Sequence, residues 1–65
     1  MTTTEIFNQV VETEKIDINS KFRLEKTLCV DKMIEKLFSL GFVSQSVMVE
    51  KIKEYETFVQ ENFTK

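Results

Sequence analysis

Cys29-Val30-Asp31-Lys32-Met33-Ile34-Glu35-Lys36-Leu37-Phe38-Ser39-Leu40-Gly41 is the stretch on which the fold turns. At about 100° per residue, Cys29, Val30, Met33, Ile34, Leu37, Phe38 and Leu40 cover roughly half of a helical circumference, and Lys32, Glu35, Lys36 and Ser39 cover the rest. Gly41 is the single glycine of the chain. Without a Cβ it takes a positive φ cheaply, so the pattern predicts a helix over about residues 20–40 that stops there.

Downstream, Ser44 is placed to cap a further helix over about residues 44–62. Met48, Ile52, Tyr55, Val59 and Phe63 share one stripe of it, with Val47 and Phe58 on the shoulder, and Ser46, Glu50, Lys53, Glu54, Thr57 and Glu61 form the wet face. The short connection around Gly41 predicts an antiparallel hairpin. Upstream, Leu24 and Leu28 fall out of phase with the apolar arc, so the first turns of that helix face something different from the later ones. Asp17, Asn19 and Ser20 all have side-chain oxygens suited to an N-cap, which predicts a turn there and a helix start near Ser20. A shorter helix over about residues 3–15 opens with Thr2 and Glu5 at capping-box spacing and carries Ile6, Phe7, Val10 and Val11 on one stripe.

Both long helices carry apolar arcs wider than the roughly 100° that one neighbour covers. Either the N-terminal helix fills the gap, or a second copy of the hairpin does, or both. The sequence therefore predicts an all-α single domain over residues 1–65, a three-helix bundle or a dimeric four-helix-type bundle.

Composition narrows what such a domain can do. The chain has 65 residues, 42% hydrophobic and 31% charged, with no Pro, no His and no Trp. A chain this short buries only about 60% of the surface that its unfolded form exposes, and small scaffolds usually gain stability from a disulfide, a metal or a partner. Cys29 is the one cysteine, so no intrachain disulfide forms, and a metal site would rest on carboxylates alone. No metal and no cofactor is expected; self-association is. The apolar runs are far shorter than the roughly 18 residues that cross a bilayer. Met1-Thr2-Thr3-Thr4-Glu5 has neither a basic region nor an apolar core, which predicts a cytoplasmic protein without a signal peptide. A net charge of −2 argues against binding nucleic acid through bulk charge.

Without His, acid–base chemistry would fall to a carboxylate, a Lys, Tyr55 or Cys29. Cys29 lies within the apolar arc, where a thiol behaves as a small hydrophobe, and there is no glycine-rich phosphate loop. No enzyme activity is expected. Two groups of residues point to binding. Lys21, Arg23 and Lys26 open the second helix, in a segment (19–41) with five basic and three acidic residues, against one basic and four acidic in residues 1–18. Basic residues at a helix start oppose its dipole, which fits an acidic partner or attraction to the acidic first helix. Six Phe and one Tyr in so short a chain are shared between core and interface. Leu24, Leu28, Phe42, Phe58 and Phe63 are the candidates for a partner or dimer interface.

Leu40-Gly41-Phe42-Val43-Ser44-Gln45-Ser46-Val47 resembles the turn and recognition-helix start of helix-turn-helix repressors, in which a Leu-Gly-Val-Ser-Gln-Ser string is common. The chain departs from that pattern by one inserted residue between Gly41 and Ser44 and by bulky Leu37, where such motifs carry a small residue. Glu50, Glu54, Glu56 and Glu61 then oppose phosphates, against Lys51 and Lys53. The resemblance implies a DNA-binding regulator that uses segment 40–52. The residues themselves favour another reading: a small protein-binding regulator, homodimeric, that docks on a larger protein and modulates it. The abundance of Lys, Glu, Ile and Phe without Pro fits a phage or low-GC bacterial source.

Overall fold

The computed structural model describes residues 2–41 and 44–63 and forms three helices: α1 (Thr3–Glu14), α2 (Arg23–Ser39) and α3 (Gln45–Asn62). No strand occurs among the described residues. The chain is an all-α three-helix bundle.

Two helix starts follow from local chemistry. The Thr2 hydroxyl accepts from the Glu5 N–H at 3.2 Å while the Glu5 carboxylate accepts from the Thr2 N–H at 3.1 Å, so each side chain satisfies a backbone donor that the helix leaves open. The Thr2 backbone N–H, and after it the Thr2 hydroxyl, hold the Glu5 carboxyl below its ordinary pKa. At α3, the Ser44 hydroxyl accepts from the Val47 N–H at 3.3 Å.

The start of α2 differs from the sequence expectation. The Ser20 hydroxyl is held in a local turn, accepting from the Phe22 N–H at 3.1 Å, and Asp17 closes its own turn by accepting from the Asn19 N–H at 2.9 Å. Both side chains are spent on N–H groups that lie ahead of the helix, so neither caps its first turn. The helix therefore begins at Arg23, behind Phe22, whose side chain makes no capping bond.

α1 ends without glycine. Lys15 takes φ 55°, ψ 46°, and the Ile16 N–H reaches back to the Val11 carbonyl at 3.0 Å. This bond turns the chain and carries Ile16, which the helical pattern had left outside the core, into it. A side chain in this left-handed conformation is strained. Lys15→Gly is expected to raise stability by about 0.5–1 kcal/mol, the gain being reduced by glycine's wider unfolded ensemble. The urea midpoint should rise with an unchanged slope; a lower midpoint would show that the Lys15 side chain stabilises the turn.

The core gathers Ile6, Phe7 and Val10 of α1, Ile16 of the connection, Cys29 and Met33 of α2, Tyr55 and Val59 of α3, and Phe63. Val11, Val30, Ile34, Leu37 and Phe58 pack against it. The Phe7 ring meets Phe58 edge-on at 5.1 Å and Phe63 at 6.3 Å, which ties α1 to α3. The Thr3 hydroxyl donates to the Glu54 carboxylate at the start of α1, and at its end Thr13 and Glu14 line one cleft with Lys32 and Lys36 of α2. Thus α1 crosses the hairpin from α3 to α2.

That placement corrects one expectation. Phe38 and Leu40, assigned to the buried arc of α2, are half exposed, because α1 does not extend to the Gly41 end of the hairpin. Leu24 and Leu28, out of phase with that arc, are exposed while Cys29 and Met33 are buried.

Candidate interaction surface

Around the start of α2, the most exposed large apolar residues among those described lie in a basic segment. Phe22 is 76% exposed and Leu24 82%, with Lys21 and Arg23 exposed beside them and Lys26 half-buried. Leu28 follows one turn on, at 39%. The ion pairs among the described residues are Lys32–Glu35 at 3.1 Å and Lys51–Glu54 at 3.2 Å, so Lys21, Arg23 and Lys26 hold no carboxylate there. Phe22 escaped the sequence reading because it belongs to no helical stripe. The available signal was an aromatic side chain between two cations in an otherwise polar stretch.

The other interface candidates divide. Phe63 is 2% exposed and part of the core, so it offers no surface in this fold, and Phe58 is partly buried against Phe7. Their place near the end of α3 is where the chain closes over α1. Phe42 lies outside the described residues.

A groove of about 700 Å³ runs between α2 and α3. Val30, Ile34, Ile52 and Val59 supply its apolar lining. Arg23 and Lys26 stand at one end of its α2 rim and Asp31 and Glu35 further along, with Glu56 on the α3 side. Sequence periodicity placed Val30, Ile34 and Ile52 on buried arcs; in the fold all three are only partly covered.

The groups able to do chemistry are dispersed. Cys29 is fully buried, and burial pushes its thiol up to about 11, away from the reactive thiolate. Burial likewise raises the Tyr55 hydroxyl, with Lys51 opposing the shift. A thiol reagent is expected to modify Cys29 slowly in the native protein and rapidly in denaturant, and equal rates would show an open site. Among the described residues, no three His, Cys, Asp or Glu side chains are grouped to hold a metal ion. No described helix is long and apolar enough to cross a membrane.

In segment 40–52, Gln45, Ser46, Val49 and Glu50 are exposed along the start of α3, and Lys51 is paired with Glu54. The Thr3 hydroxyl, and after it the Lys51 ammonium, hold the Glu54 carboxyl below its ordinary pKa. No protein-family model, no curated protein and no solved structure matches this chain.

Proposed function

We propose that this chain is a non-enzymatic binding module that docks on a larger protein and modulates it, working as a homodimer. The observation that carries the reading is Phe22: an aromatic side chain 76% exposed, between Lys21 and Arg23, at the position that caps α2. A Ser or Asp there would stabilise the helix by about 1 kcal/mol, so the aromatic ring is poorly chosen for folding. An exposed ring between cations suits a partner with an apolar recess bordered by carboxylates.

The test is capture of host proteins on the immobilised chain, run beside Phe22→Ser. That substitution removes an exposed ring and supplies a cap, so the variant stays folded. The expected result is one host protein retained by the native chain and lost by the variant. Equal retention by both, or retention of nothing, would overturn the reading. The alternative, a DNA-binding regulator using segment 40–52, requires a salt-sensitive shift on duplex DNA. The Glu50, Glu54, Glu56 and Glu61 carboxylates along α3 weigh against it.

A further inference from the structure

We infer that the groove between α2 and α3 receives an amphipathic helix of the partner protein, with cations on both flanks and carboxylates at one end. The inference rests on the docking proposed above and names the segment that docks. Both walls of the groove are helices, whose backbone N–H and C=O groups are bonded along their own axes. An extended peptide laid there would find no main-chain partners, whereas a helix satisfies its own. At 1.5 Å per residue the α2 wall from Arg23 to Glu35 is about 18 Å long, the span of a helix of about twelve residues.

Helical phase sets the charges around this floor. At about 100° per residue, Val30 and Ile34 lie along the middle of the α2 wall, and Asp31 and Glu35 on the flank turned away from the buried Cys29 and Met33. On α3, Ile52 and Val59 share one stripe, and Glu56 stands beside it on the side away from the buried Tyr55. The apolar floor is thus bordered by carboxylates on both helices, and a helix whose apolar stripe enters it needs cations on both flanks. Arg23 and Lys26 line the groove toward the start of α2 and hold no carboxylate among the described residues. They call for carboxylates at that end of the incoming helix. Phe22 adjoins the same end, so those carboxylates also border the recess that takes its ring. Covering Val30, Ile34 and Ile52, all partly exposed, supplies the attraction. The charges add little affinity but select the partner, because like charges brought face to face are repelled.

Fluorescence anisotropy on the full chain tests this with two labelled synthetic helices of about twelve residues, the length of the groove. The first carries leucines on one stripe, lysines on both flanks and glutamates in its first turn; the second exchanges the lysines and glutamates. Asp31→Lys with Glu56→Lys changes two exposed side chains that hold no ion pair among the described residues, so the fold is kept. The lysine-flanked helix is expected to bind the native chain at least tenfold more tightly than the exchanged one, and the double variant to reverse that order. The reversal guards against misfolding, because an unfolded variant would gain affinity for neither helix. Binding of neither helix, equal binding of both, or an order that the variant leaves unchanged overturns the inference. An affinity that weakens as the protein is concentrated would put a second copy in the groove, and overturns it too. The capture of a host protein lost with Phe22→Ser is measured separately, so docking through Phe22 stands or falls on its own.

Discussion

Phe63→Ala is expected to cost about 3–5 kcal/mol and to leave the chain largely unfolded at 25 °C. Phe63 follows the last residue of α3, where fraying is the usual expectation, yet its side chain is 2% exposed and its ring stands 6.3 Å from that of Phe7. Its N–H bonds to the Val59 carbonyl at 2.9 Å, which fixes the side chain over the core rather than in solvent. Truncation removes an aromatic contact and opens a void beside Ile6, Phe7 and Val59, and neighbouring side chains in so small a core have little with which to refill it. Stability of a domain this size is only a few kcal/mol, so the loss exhausts it. Circular dichroism should show collapse of the helical signal, and Phe63→Leu should keep most of it. A cooperative urea transition at the native midpoint in the alanine variant would show that Phe63 lies outside the core.

Gly41→Val is expected to destabilise the protein by about 1–3 kcal/mol, through the backbone alone. Gly41 has φ +152°, and a Cβ added there would meet no atom within 4 Å. The penalty therefore comes from conformation rather than collision, and Gly41→Ala should lose a comparable amount although its side chain is smaller. Urea denaturation of both variants makes the comparison. Unchanged stability in either would mean that the hairpin forms without a positive φ at this residue, and a loss confined to Val would point to crowding instead.

What was legible in the sequence was what short-range chemistry decides. Thr2 with Glu5, and Ser44 ahead of Val47, act within one turn, and both caps form as their spacing predicts. Ile6, Phe7 and Val10 are buried because a single face of α1 holds every large apolar residue it has. Legibility failed where residues compete or where distant elements decide. Three candidate caps before α2 were chemically equivalent, and Asp17 and Ser20 closed turns of their own, which moved the helix start to Arg23. Lys15 gave no sign that it would take the place of a glycine. Periodicity put Phe38 in the core and could not foresee that α1 crosses elsewhere. It also could not say whether Phe63 was interface or core, since that depends on Phe7, far away in the chain. Of the candidate surface, Lys21, Arg23, Lys26, Leu24 and Leu28 were read from phase and charge; Phe22 and the groove emerged only with the fold.

The meeting of the Phe7 ring with Phe58 and Phe63 also sets an order of events in folding. Those partners are 51 and 56 residues away along the chain (58 − 7 and 63 − 7). Closing such a span in an otherwise open chain costs about 3.5 kcal/mol of entropy. Once α2 and α3 have zipped together across the short turn at Gly41, the same contact needs only the segment 15–22 to fold back. The hairpin therefore nucleates, and α1 docks on the far side of the rate-limiting barrier. Truncating Phe7 should quicken unfolding and leave the folding rate almost untouched, whereas substitutions between α2 and α3 should slow folding itself.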